Sequence, residues 1–110
     1  MEISVREASG VNILKFSGSL DTNTSQAAEN EVNDLLAAGH DKVLFNFEEL
    51  DYISSSGLRV LLSTAKKLKV SGGLMKVCSL NSVVQEVFDI SGFAGILNLA
   101  SNEEEALASF

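Results

Sequence analysis

Residues 43–47, Val-Leu-Phe-Asn-Phe, place the strongest constraint on how this chain can fold. The segment is short and almost uniformly apolar, which suits a strand covered on both faces in a parallel sheet. After a predicted loop over residues 48–53, apolar residues recur with the 3.6-residue period of a helix that packs one face on the sheet. These residues are Leu58, Leu61, Leu62, Ala65 and Leu68. A buried strand followed by an amphipathic helix indicates a layered domain of sheet and helices.

The N-terminal part of the chain predicts two strands and a helix. The chain begins with alternating apolar residues, which are followed by a turn at Ser9-Gly10 and an apolar-rich run over residues 11–17. This pattern is typical of two tightly joined strands. Helical spacing follows, with Asn23 and Gln26 as a candidate capping box and Gly39 as the C-terminal stop.

The C-terminal part repeats the alternation of strand and helix. A strand is predicted over residues 74–78, and Asn81 is positioned to cap the helix after it. A last strand is predicted over residues 96–99. The pair Ser101 and Glu104 has the spacing of a capping box, which predicts a short C-terminal helix.

This order of elements predicts the α/β class. Strands that alternate with helices form a mainly parallel sheet with right-handed crossovers. We predict a single domain over residues 1–110, with a mixed, mainly parallel sheet of about five strands and about four helices. No linker or internal repeat divides the sequence. Functional residues are therefore expected on the loops of this one domain.

Composition limits the classes of function. The formal net charge of −7 at pH 7 would repel nucleic acid and acidic membranes, so we expect neither as a partner. The single cysteine, Cys78, and the one histidine, His40, cannot form a disulfide or a zinc cluster. The sequence shows no secretory signal, and no apolar run has the length of a membrane span. We expect a cytoplasmic domain that binds a protein or a small ligand and uses no metal or other cofactor.

The serine run Ser54-Ser55-Ser56-Gly57 is the first candidate site. It joins the presumed central strand to the next helix, a position where open α/β sheets commonly place their sites. A helix start presents unpaired N–H groups and a partial positive charge, so a phosphate could be tolerated there. Such a modification adds about −1.5 to −2 charges near pH 7. Serines at this position also serve simply as helix caps, and pattern alone favours that role.

Residues 54–58, Ser-Ser-Ser-Gly-Leu, resemble the Asp-Ser-Ser/Thr-Gly-Leu signature of STAS domains. This family includes bacterial anti-sigma factor antagonists and the tails of sulfate transporters. Gly18-Ser19-Leu20-Asp21 resembles the family's glycine and aspartate loop, and residues 88–93 resemble the end of its third helix. The resemblance covers nearly the whole chain and implies the STAS fold.

The resemblance implies a phosphorylation switch at Ser55. The serine after the family's aspartate is the phosphorylated one, which places the acceptor on Ser55 and puts Ser56 at the Ser/Thr position. Ser54 replaces the aspartate and removes a negative charge beside the acceptor. The implied partner is an anti-sigma factor with serine kinase activity, which the unphosphorylated protein binds so that a sigma factor is released. A serine phosphatase would reverse the modification. The chain itself would not be an enzyme.

A second loop, residues 20–24, is expected to approach the serine run at the same edge of the sheet. Asp21 would then flank Ser55, although the polar residues of this loop could equally serve only as helix caps. Arg59, one turn after Ser55, could pair with a phosphate there, but a solvated helix face explains it as well. We therefore predict a partner-binding surface with seven members. They are Asp21, Thr22, Asn23, Ser54, Ser56, Gly57 and Arg59.

Other functions fit the sequence less well. A serine hydrolase would need a G-x-S-x-G elbow, and His40 is remote from the serines in sequence. A receiver domain with Asp51 as acceptor would need more acidic residues after the first strand. A small-ligand or nucleotide-binding module lacks a phosphate-binding glycine motif. Within the family, a STAS interaction subunit of a transporter or of a larger signalling assembly remains an alternative.

Overall fold

The computed structural model of the chain describes residues 1–93, 95 and 97–110. Strands and helices alternate along these residues as the sequence pattern predicts. They are β1 (Glu2–Ala8), β2 (Val11–Leu20), α1 (Ser25–Ala37), β3 (Lys42–Ile53), α2 (Ser55–Ser71), β4 (Leu74–Cys78), α3 (Ser82–Ser91), β5 (Leu99–Ala100) and α4 (Glu103–Ala108).

The strands form one sheet in the order β1-β2-β3-β4-β5. β1 is antiparallel to β2, with Glu2 opposite Ser17, and each later strand runs parallel to the one before it. The prediction of a mixed, mainly parallel sheet is therefore confirmed. Because each crossover moves in the same direction along the sheet, right-handed connections place α1, α2 and α3 on one face.

The core lies on both faces of the sheet. On one face, Phe16 packs against Phe45 and Phe47 with ring centroids 5.6 and 5.5 Å away, beneath buried residues of α1, α2 and α3. On the other face, Leu44 is buried in a smaller cluster that includes Ala106 of α4. The central strand is covered on both sides, as its uniform apolar sequence predicts.

The predicted loop over residues 48–53 is wrong, because β3 continues to Ile53. The register between β2 and β3 shifts twice, between Lys15 and Ser17 and again between Gly18 and Ser19. Each irregularity breaks the strict alternation of side chains, so the segment no longer has the two-residue period of a strand.

Two predicted capping boxes are also wrong. α1 is preceded by Thr24 rather than Asn23, and the Gln26 amide donates to Asn30 within the helix. α4 is capped by Asn102, whose side chain accepts a hydrogen bond from the N–H of Glu105 at 2.8 Å. Neighbouring polar residues competed for each cap, and spacing alone did not distinguish them.

Other boundaries are closer to the prediction. The cap of α3 is confirmed, because the Asn81 side chain accepts from the N–H of Val84 at 2.8 Å. The last strand is displaced from residues 96–99 to Leu99–Ala100, and Ile96 lies outside the described residues. Of the helices that the structure describes, none has the length and apolar character needed to cross a membrane.

Cys78, at the end of β4, generates a prediction about pH. Burial raises the pKa of its thiol above the ordinary value of 9.0, the negative charge of Glu48 adds to this, and a hydrogen bond with Ser79 partly opposes it. Because the unfolded chain loses this proton first, folding stability should fall as the pH rises above about 9. We expect this fall to be shallower in Cys78→Ala, measured by urea unfolding at pH 8 to 10. Equal slopes in the two proteins would contradict the prediction.

Candidate functional site

The candidate site lies where the carboxyl ends of β2 and β3 meet. Leu20 and Ile53, the last residues of these strands, are paired in register. The N–H of Ser54 then donates to the carbonyl of Leu20 at 2.9 Å, which extends the contact by one more residue. The loop after β2 and the start of α2 are therefore held side by side, as predicted from the parallel topology.

The serine run forms the first turn of α2. Ser54 is the N-cap, and its hydroxyl oxygen accepts from the N–H of Gly57 at 3.3 Å. Ser55 is the first residue of the helix and is exposed. Within the described residues, no hydrogen bond engages the Ser55 hydroxyl, so this group is available to a partner.

Gly57 allows α2 to begin directly on the strand ends. A Cβ at this residue would lie 2.7 Å from the carbonyl oxygen of Leu20, 2.8 Å from Cγ1 of Ile53 and 2.9 Å from Cγ of Leu20. The first of these contacts is with backbone, which cannot move aside as a flexible side chain can. Glycine is required here by lack of space, and its buried position keeps the serine turn close to the sheet.

The second loop is closed by its own side chains. Oδ1 of Asp21 accepts from the N–H groups of Asn23 at 2.9 Å and Thr24 at 3.2 Å. The Thr24 hydroxyl accepts from the N–H of Asp21 at 2.9 Å and donates to the carbonyl of Ser19 at 2.8 Å. The sequence offered Thr24, with the other polar residues of this loop, as a possible cap of α1. It occupies the N-cap position, but its side chain makes no capping hydrogen bond to the helix and closes the loop instead.

The two loops meet through Thr22 and Ser56, whose hydroxyl oxygens lie 3.4 Å apart. The sequence had suggested that Asp21 flanks Ser55, but no hydrogen bond in the described part of the chain joins these two residues. The carboxylate of Asp21 instead organises the loop that presents Thr22. Thr22 and Asn23 are both exposed and lie on the same loop.

The electrostatics of this surface favour an added anion. No acidic residue occurs in the first turn of α2. The free N–H groups of that turn carry the partial positive charge of a helix N-terminus, and the exposed Arg59 follows Ser55 by four residues, about one turn later. The start of α2 therefore presents positive charge near the exposed Ser55 hydroxyl.

The geometry gives no support to the enzymatic alternatives. His40 lies just before β3 begins, whereas Ser55 lies just after β3 ends, so the two residues are at opposite ends of a 12-residue strand. Asp51 lies within β3, whereas the receiver hypothesis placed the acceptor after that strand. Among the described residues, no cluster of three or more His, Cys, Asp or Glu side chains could hold a metal ion.

Comparison with known proteins gives consistent matches over the chain. The family model described as STAS domain matches residues 2–106. BtrV of Bordetella bronchiseptica, assigned to the anti-sigma factor antagonists, is 36% identical over 110 residues, which are 100% of this chain and 95% of BtrV.

Solved structures share this fold. A crystal structure assigned as an anti-sigma factor antagonist of Thermotoga maritima matches with a TM-score of 0.93 at 22% identity, over 97% of this chain and 92% of that one. The Bacillus cell fate determinant SpoIIAA in its phosphorylated form matches with a TM-score of 0.76 at 21% identity, over 98% of both chains. The five-stranded sheet and its helices are thus an established arrangement.

The contact between Gly57 and Leu20 generates a prediction about stability. Gly57→Ala should lower the free energy of unfolding by about 1–3 kcal/mol, because the added methyl group overpacks a site bounded by backbone. The loss is expected although alanine favours helix. Gly95→Ala is the matched control, since a Cβ there meets open space, and it should change stability by less than about 0.5 kcal/mol. Urea unfolding of both variants would show this, and equal stabilities would contradict it.

Proposed function

This chain belongs to the STAS domain family, and from that premise we propose that it binds an anti-sigma factor and is switched by phosphorylation of Ser55. The observation that carries the proposal is the exposed Ser55 hydroxyl at the first turn of α2. Its relatives are anti-sigma factor antagonists, which are regulatory proteins and not enzymes. The chain would contribute a binding surface and an acceptor hydroxyl, and the kinase would supply ATP and magnesium.

The proposed partner-binding surface has members with different tasks. Exposed Thr22, Asn23 and Arg59 would contact the partner directly, around the Ser55 hydroxyl. Asp21 would hold the shape of its loop through the hydrogen bonds that its carboxylate accepts.

The remaining members of the surface set the position of Ser55. Ser54 caps the helix, Gly57 seats it on the strand ends, and Ser56 approaches Thr22. A partner would therefore meet a surface that is largely formed before binding. Little ordering of the chain would be needed, which favours affinity.

The proposed switch depends on where phosphorylation would add negative charge. A phosphate on Ser55 would place about −1.5 to −2 charges on a surface that must lose water when a partner binds. Desolvating such a charge without a partner group to neutralise it is unfavourable, so binding would weaken. The helix N-terminus and Arg59 would stabilise the phosphate within the free protein. The fold would thus tolerate the modification that disrupts the complex.

The partners in this cycle are an anti-sigma factor with serine kinase activity and a serine phosphatase. Unphosphorylated protein would bind the anti-sigma factor and release its sigma factor. The kinase would end this state by modifying Ser55, and the phosphatase would restore it. All these steps occur where sigma factors act, so the proposed location is the cytoplasm. The phosphorylated SpoIIAA structure supports the proposal because it shows that this fold can carry a phosphate.

A binding measurement tests the switch. Ser55→Ala should bind a candidate anti-sigma factor of the same genome as tightly as the native chain does. Ser55→Asp should bind at least about tenfold more weakly, which is a loss of about 1.4 kcal/mol in binding free energy. Isothermal titration calorimetry gives both affinities. Ser4→Asp is the matched control, because it adds the same charge to an exposed serine of β1 outside the proposed surface, and it should bind like the native chain. Equal affinities for Ser55→Ala and Ser55→Asp would exclude the switch.

The modified residue can be identified directly. Incubation with the anti-sigma factor and ATP, followed by peptide mass spectrometry, should place the phosphate on Ser55 and should give none in Ser55→Ala. The Ser56→Ala variant should be modified as efficiently as the native chain. Phosphate confined to Ser54 or Ser56 would refute the assignment while leaving partner binding intact.

A further inference from the structure

A groove of about 970 Å³ lies beside α2, over the start of β4. Its apolar lining comes from both elements and from the described residues between α3 and β5. Leu62, Ala65, Leu74 and Phe93 contribute to this lining and are only half-buried. The volume is at the upper end of the roughly 300–1,000 Å³ typical of small-molecule sites, which are also mostly apolar. An occupant could therefore complete the burial of these side chains.

Three cations border the groove, in a chain whose net charge is −7. Arg59, Lys66 and Lys69 all lie on α2, line the groove and are exposed. Residues separated by three and by seven positions lie on the same side of a helix, so the three form one row. Lys66 and Lys69 are about 4.5 Å apart along the helix axis, close enough to share one anionic group.

These cations have no anionic partner in the part of the chain that the structure describes. Arg59, Lys66 and Lys69 enter no ion pair and no side-chain hydrogen bond there, and none of the described lining residues is Asp or Glu. Other cations are engaged: Lys15 pairs with Glu49, and Lys67 donates to Asn33. The groove thus combines apolar walls with uncompensated positive charge.

We propose that this groove binds a single-chain amphipathic anion. The apolar tail would lie against Leu62, Leu74 and Phe93, and a carboxylate or phosphate head would sit between Lys66 and Lys69. A free molecule fits better than a membrane surface, because the groove is concave and the protein's net charge would be repelled by an anionic bilayer. The groove shares only Arg59 with the Ser55 surface, and the proposed head site at Lys66 and Lys69 lies outside that surface, so either proposal can fail without the other.

Nuclear magnetic resonance with decanoate tests the groove. Titration of the ¹⁵N-labelled 110-residue chain should shift the amide signals of Leu62, Lys66 and Leu74 in a saturable way. Decanol has the same tail without the charge and should bind at least about fivefold more weakly. Butyrate has the charge without the tail and should give no saturable shifts.

A charge-matched pair of variants tests the cations. Lys66→Gln/Lys69→Gln should weaken decanoate binding at least about fivefold and leave decanol binding unchanged. Lys67→Gln/Lys76→Gln removes the same charge outside the groove and should bind decanoate like the native chain. All four positions are on the surface or half-buried, and unfolding curves would confirm that both variants are folded.

Several results would overturn the proposal. Equal affinities for decanoate and decanol, or equal losses in the two double variants, would show that Lys66 and Lys69 do not recognise the head. Saturable shifts with butyrate would show that the apolar walls play no part. Shifts confined to residues outside the groove would place the binding elsewhere. Binding to anionic phospholipid vesicles without binding of monomeric decanoate would identify a lipid surface as the ligand instead.

Discussion

The contact of Gly57 with the ends of β2 and β3 is the constraint on which the site depends. The backbone of Leu20 receives the Ser54 N–H and leaves no room for a Cβ on Gly57, so helix and strands meet at a fixed distance. Ser54 then caps the helix and is half-buried, and Ser55 is the first exposed side chain of the helix. The accessibility of one hydroxyl therefore follows from the packing of its neighbours.

The sequence predicted those parts of the fold that depend on one dominant pattern. The uniform apolar run over residues 43–47 and the 3.6-residue stripe on α2 are each one local pattern, and both elements were identified. Residues 48–53 were misread because two register shifts against β2 break the alternation of β3. Such shifts arise from pairing between strands that are distant in sequence. They cannot be predicted from a local sequence pattern. The choice of cap among adjacent polar residues cannot be predicted from spacing alone either.

The proximity of the two loops was predicted correctly, but the contacts between them were not. Parallel topology was sufficient to bring the loop after β2 beside the start of α2. It did not determine which side chain would cross between them. An aspartate near a turn can accept hydrogen bonds from its own loop, and Oδ1 of Asp21 accepts from two backbone N–H groups there. Thr22, the next residue, is left to approach Ser56.

Ser54 provides an uncharged cap beside the serine at which the proposed switch acts. As a cap, its hydroxyl accepts from the N–H of Gly57, and serine and aspartate are both favoured at such a position. Unlike a carboxylate, it brings no charge, and the first turn of α2 contains no acidic residue. A phosphate on Ser55 would therefore be the first negative group in that turn. Within that turn, the two states would then differ by the full phosphate charge. Arg59 lies on the same helix and could reach either Ser55 or the groove.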